Sequence, residues 1–278
     1  MKNQIKEIKS FDGATIHYEV IRLDNQKPCL FFLHGLTGNL TAWKEERKFF
    51  EDLGISSIAM DLRGHGKSGR SNDLAFYKME NFVKDVLSVI KNEKFEKYVI
   101  VGHCFGGMVS ILLESKYPKT GECLVLVDTS YKPPAFEEPI KKNIFFEYIF
   151  NLMTKNIPSM VLKGYVNYDD YVGTGDLNMR RIGHDILHTS LKTFLAISGE
   201  LQEYDASKLL GKIEIPTLII EGEKDIIFPP PIAEYLQKRI KGSYLEIMPG
   251  ENHVVVINNP MDLSREIYGF LEALKCLN

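Results

Sequence analysis

Short apolar runs alternate with amphipathic stretches along most of the chain. Residues 5–9 and 14–21 alternate apolar and polar positions around Phe11-Asp12-Gly13, which predicts a hairpin. CLFFL at 29–33, YVIV at 98–101 and CLVLV at 123–127 are continuous apolar runs, the pattern of strands covered on both faces. Residues 56–60, 217–220 and 244–248 read as further strands. Between them fall helical stretches at 40–53, with Trp43, Phe49 and Phe50 on the apolar side, and at 82–95 and 105–117, the last stopped by Pro118. Helices at 230–240 and 260–274 complete the alternation.

The rhythm breaks between residues 131 and 205. Aromatic and apolar clusters crowd there (Phe145, Phe146, Tyr148, Phe150, Tyr165, Tyr168 and Tyr171) without a strand signal. The pattern predicts an α/β protein: a mainly parallel sheet flanked by helices, built from residues 1–130 and 206–278, with an inserted helical subdomain at 131–205. An insertion just past a central strand is expected above the strand ends, where such sheets bind ligands.

Composition narrows the class a little further. The 278 residues are 44% hydrophobic and 26% charged, ordinary for a globular chain. With 34 basic and 37 acidic residues the net charge is −3, and no basic stripe stands out, so no nucleic-acid partner is expected. The apolar stretch at 144–153 is broken by Glu147 and is too short for a bilayer span. The first ten residues mix Lys and Glu and show no secretory pattern. Cys29, Cys104, Cys123 and Cys276 have no paired spacing, which argues against a disulfide framework or a zinc knuckle and for a reduced, cytoplasmic setting.

The sharpest chemical signal is Gly102-His103-Cys104-Phe105-Gly106-Gly107, directly after YVIV and opening a helix. A strained strand-to-helix turn needs small residues two before and two after its centre, because the backbones approach closely there. The central side chain then projects at a helix N-terminus, where partial positive charge favours an anion. Here that residue is Cys104, a nucleophile when a base stands beside it. The base candidate is His253, in the turn-rich loop after 244–248. Two carboxylates could orient it: Asp225, after the strand at 217–220, and Asp128, after CLVLV. Asp225 is preferred because its loop lies nearer the histidine loop in the expected topology.

Two other patterns are weaker. Asp61-Leu62-Arg63-Gly64-His65-Gly66-Lys67-Ser68-Gly69 contains a literal GxGxxG and imitates the end of a P-loop. Asp61 occupies the place of the first P-loop glycine, and a polar segment follows where a dinucleotide helix would begin, so a structured loop is expected instead. His184 and His188 stand four apart like a zincin pair, but Asp185 replaces the required Glu and no third ligand is evident, so no metal is expected.

Taken together, FFLHGLTGN, DLRGHGKS, VGHCFGG, GEKD and ENH resemble, in order and over nearly the whole chain, the α/β-hydrolase fold with a helical cap. The resemblance implies a triad of Cys104, Asp225 and His253 and an oxyanion hole from the N–H groups of Leu36 and Phe105. Cysteine replaces the usual serine, as in dienelactone hydrolases and polyhydroxyalkanoate synthases; the chain is short for the latter. His34 is expected beside the substrate as a hydrogen-bonded residue and not a proton carrier, with Phe145, Phe146 and Tyr148 lining an apolar chamber. The function implied is hydrolysis of small to medium carboxylic esters, thioesters or lactones through an acyl-enzyme, with no cofactor and a small-molecule acyl substrate as partner. The alternatives on the same scaffold are a carbon–carbon bond hydrolase, an acyltransferase and a non-catalytic ligand receptor.

Overall fold

The computed structural model describes residues 3–23, 27–134, 154–158 and 160–277. Eight strands form one sheet: β1 (Gln4–Lys9), β2 (Thr15–Ile21), β3 (Cys29–Leu33), β4 (Ser57–Met60), β5 (Tyr98–His103), β6 (Cys123–Val127), β7 (Thr217–Gly222) and β8 (Ser243–Met248). Their spatial order is β1-β2-β4-β3-β5-β6-β7-β8. The β1–β2 and β2–β4 pairs are antiparallel and every later pair is parallel.

The apolar runs become strands because helices cover both faces. In β3, Phe31 and Leu33 enter one core while Leu30 and Phe32 enter the other. The first core is closed by α2 (Met79–Glu93), α3 (Phe105–Lys116) and α6 (Pro230–Arg239), through Phe82, Met108 and Leu236. The second is closed by α1 (Lys44–Asp52) and α8 (Pro260–Ala273), through Phe50, Leu263 and Ile267.

Several boundaries differ from the sequence pattern. The stretch at 40–53 splits into a 3-10 turn, Leu40–Trp43, and α1. The helix expected at 82–95 begins at Met79, whose N–H is capped by Glu200 Oε1 at 3.0 Å. A one-turn helix, α7 (Val255–Asn258), follows the histidine loop and was not expected.

Between β6 and β7 the described residues include 3-10 turns at Tyr168–Tyr171 and Leu210–Lys212 and the helices α4 (Met179–Thr189) and α5 (Leu191–Leu201). Phe145, Phe146 and Tyr148 lie outside the described residues, as does the apolar stretch at 144–153. Side chains of this segment reach the loops that leave the sheet at its carboxyl edge. Tyr165 donates to Asp61 Oδ2 at 2.8 Å, and Thr189 donates to the Thr37 carbonyl at 2.8 Å. Among the described residues, no helix is long and apolar enough to cross a membrane.

Candidate active site

Residue 104 is placed by the meeting of β5 and α3. From Tyr98 to Ser115 every residue is buried except Cys104. Its φ is +50° and its ψ −113°, a left-handed conformation that costs a side-chain-bearing residue of order 1–3 kcal/mol. Neighbouring bonds hold it there: Cys104 N–H donates to Val127 O at 3.0 Å, and its carbonyl accepts from Thr129 Oγ1 at 2.6 Å. The flanking glycines are required by contact. A Cβ at Gly102 would sit 2.5 Å from Gly106 O, and one at Gly106 would run into the Leu33 carbonyl.

His253 comes from the loop after β8, and Asp225 from the loop after β7. His253 Nδ1 and Asp225 Oδ2 are 2.7 Å apart in a buried ion pair. Asp225 Oδ1 accepts from the N–H groups of Ile227 (2.6 Å) and Phe228 (2.9 Å), which fix the carboxylate. The Cys104 side chain is the other neighbour of the imidazole. Burial alone would lower the His253 pKa; its interactions with Cys104 and Asp225 overcome that and hold the imidazole well above its ordinary value. Asp225 behaves conversely. Burial pushes it up, yet the charge and hydrogen bond of His253 bring it below the usual carboxylate range. Cys104, His253 and Asp225 are therefore brought together. Asp128 is fully buried and bonds the Gly222 N–H at 2.8 Å instead of the imidazole.

Leu36 and Phe105 flank the same spot. Phe105 is the first residue of α3, so its N–H has no acceptor within the helix. Gly35, just before Leu36, packs on the Cys104 turn: a Cβ there would lie 3.2 Å from Cys104 Cβ. Among the turn and loop hydrogen bonds of the described residues, neither Leu36 nor Phe105 donates its N–H. His34 is fully buried and both its ring nitrogens are in use, with Nδ1 donating to Gly35 O at 2.8 Å and Nε2 accepting from Leu62 N–H at 3.1 Å. Desolvation holds it neutral, with its pKa pushed down to about 4. It acts on the Gly35–Leu36 turn and not on solvent-accessible space. His65 does similar work, accepting from the Thr37 N–H at 3.1 Å.

Three residues that the sequence did not single out complete the site. His103 donates Nε2–H to the His253 carbonyl at 2.8 Å. Burial, then the nearby His253 charge, push its pKa down to about 3 and keep it neutral. Asp176, from the segment between β6 and β7, accepts from His253 N–H at 2.9 Å and from Ile226 N–H at 3.1 Å, so it ties together the loops that carry His253 and Asp225. The third is Glu221, the penultimate residue of β7, which is fully buried near Asp225. Nothing local marks any of them; His103 alone could have been suspected, from its place beside Cys104. A cleft of about 520 Å³, lined by Thr41, Tyr165, Tyr168 and Val256, opens elsewhere and includes none of Cys104, His253 or Asp225.

The weaker patterns resolve into structure. Gly64 N–H bonds Gly69 O at 2.8 Å, closing the glycine loop around Asp61, whose carboxylate accepts from the N–H groups of Leu40 and Lys67. His184 bonds the Tyr171 hydroxyl at 2.6 Å, His188 faces Gly164 O at 3.2 Å, and Asp185 turns inward to Tyr168. The two histidines thus engage protein partners on different elements.

A mostly parallel sheet, helices on both faces and a strained strand-to-helix turn at its carboxyl edge define the α/β-hydrolase fold. The sequence pattern of the family described as serine aminopeptidase, S33, matches residues 24–259, and the chain belongs to that family. It is similar to the human protein ABHD8, 23% identical over 250 residues that cover 87% of this chain and 54% of that protein. The chain thus spans about half the length of the first of its curated relatives. Epoxide hydrolase 4 of Mus musculus is 24% identical over 280 residues, covering 94% of this chain and 77% of that one. Among solved structures, the esterase EaEST from Exiguobacterium antarcticum superposes with a TM-score of 0.74 at 18% identity, covering 97% of this chain and 100% of the other. At that identity the likeness establishes the fold.

Proposed function

We propose that the protein hydrolyses small to medium carboxylic esters, thioesters or lactones through a Cys104–His253–Asp225 triad. The observation that carries this reading is the placement of Cys104: a lone half-buried side chain on a strained turn, beside an imidazole that is itself 2.7 Å from a fixed carboxylate. A strained backbone that presents a reactive side chain beside a base fits a nucleophile.

His253 holds the proton of Cys104 as an imidazolium, and the sulfur attacks the acyl carbonyl carbon. The N–H groups of Leu36 and Phe105 receive the developing oxyanion; losing one such donor typically costs about 10²–10³ in rate. His253 returns its proton to the leaving alkoxide or thiolate as the carbonyl re-forms, leaving a thioester on Cys104. Water, deprotonated by His253, then attacks that thioester and releases the acid. Asp225 holds the imidazole in the tautomer that presents Nε2 to the sulfur. His34, His65 and His103 stay neutral and shape the turns around the reacting atoms. The described part of the segment between β6 and β7 serves as a cap over the strand ends, and Phe145, Phe146 and Tyr148, outside the described residues, are assigned to an acyl chamber from sequence alone.

Replacing Cys104 by Ala should lower turnover of a short chromogenic ester by about 10³-fold or more. Iodoacetamide should inactivate the unmodified protein, with protection by substrate. Undiminished turnover in Cys104→Ala would remove the sulfur from the mechanism.

A further inference from the structure

At the carboxyl ends of β6 and β7, two more acids lie beside Asp225. One carboxyl oxygen each from Asp128, Glu221 and Asp225 lies within 4.8 Å of the other two. Asp128 and Glu221 are fully buried and Asp225 is 3% exposed. The cation facing this group is His253. Three ionised carboxyls against one imidazolium, out of contact with water, would leave a large uncompensated charge.

Hydrogen bonding poses the same difficulty. Asp128 Oδ1 accepts from the Gly222 N–H, but among the described residues Asp128 Oδ2 and both Glu221 oxygens meet no N–H or hydroxyl donor. Asp225 has all its conventional donors already: two backbone N–H groups and His253. Two protons remove both difficulties. A proton on Asp128 Oδ2 can be donated to one Glu221 oxygen, and a proton on the other Glu221 oxygen can be donated to Asp225. Every orphaned oxygen is then paired, and a single negative charge remains, on the carboxylate that faces His253.

We propose that Asp128 and Glu221 are held as neutral carboxylic acids in series beside Asp225, and that Glu221 is a positioning residue whose O–H fixes the carboxylate that orients His253. Burial is the largest influence on both, raising each above the carboxylate range, and the neighbouring acids push the same way on Glu221. The chemical effect is to confine the ionised state to Asp225. The role of Glu221 in turnover rests on the triad reading above; its protonation does not.

The infrared spectrum of the full chain at neutral pH should contain C=O bands of buried, un-ionised carboxyl groups, and Glu221→Gln should remove one of them. Because Gln keeps shape and a donor, Glu221→Gln should retain most of kcat, whereas Glu221→Leu should lose about tenfold in kcat with KM little changed. A spectrum without such bands, or one unaltered by Glu221→Gln, would overturn the proposal. So would a calcium or magnesium ion retained by the purified protein and lost in Glu221→Gln, since a cation would then be doing the neutralising. Equal activity of the Gln and Leu variants would refute the positioning role alone. Because the spectrum is read without substrate, it tests the protonation of these acids even if Cys104 proves not to be the nucleophile.

Discussion

The sulfur of Cys104 and the imidazole of His253 are one electrostatic unit, and each is intelligible only through the other. A buried histidine on its own loses its proton, as His34 and His103 do. For His253 the interactions with Cys104 and Asp225 outweigh burial and raise its pKa. Taking away the sulfur should therefore lower the His253 pKa, and an imidazole titration by NMR in Cys104→Ala should show it moving down toward the ordinary value near 6.5. An unmoved titration would mean that the sulfur carries no charge beside the ring. The sign for stability follows. A histidine raised on folding adds stability that is fully present below its unfolded pKa and lost as pH rises through the folded one. At this scale the sequence was informative where chemistry is local. The glycines two before and two after Cys104 announced the strained turn. His103, Asp176 and Glu221 were not legible, because their roles depend on partners that only the fold supplies: His253, 150 and 77 residues away, for the first two, and Asp128 at the end of β6 for Glu221.

Among the elements, the loop after β4 shows how a motif can be misleading in print and clear in space. Its glycines close a turn on Asp61, and its arginine goes inward. Arg63 is fully buried, with Nε and Nη2 donating to the two oxygens of Asp85, both at 2.7 Å, and Nη1 donating to Phe76 O at 2.8 Å. That pair locks α2 to the loop that His34 and His65 also brace. Arg63→Met should destabilise the protein by about 3–5 kcal/mol in urea unfolding, because it strands a buried Asp85 charge. Adding Asp85→Leu should recover much of the loss, whereas additive losses would deny the coupling. Element boundaries were the least legible feature for a related reason. The α2 N-terminus is set by Glu200, on α5, and no local residue pattern can report a cap supplied from 121 positions away.

For the molecule as a whole, the parallel sheet was readable because uninterrupted apolar runs such as CLFFL and CLVLV make sense only when covered on both faces, and both are fully buried. The strand order, which puts β3 and β5 side by side at the centre, brings the Leu36 loop and the Cys104 turn together at one edge. Strands β7 and β8 deliver Asp225 and His253 to that same edge. The segment between β6 and β7 was legible only as a break in rhythm, although Asp176 shows that it braces the reacting loops directly. The most direct test is intact-mass analysis after mixing the protein with an activated ester, followed by peptide mapping. The expected result is one acyl group per chain, carried on the peptide containing Cys104, accumulating to a greater extent in His253→Gln if deacylation needs the base more than attack does. Acylation on another residue, with the Cys104 peptide unmodified while substrate is consumed, would contradict covalent catalysis by this sulfur.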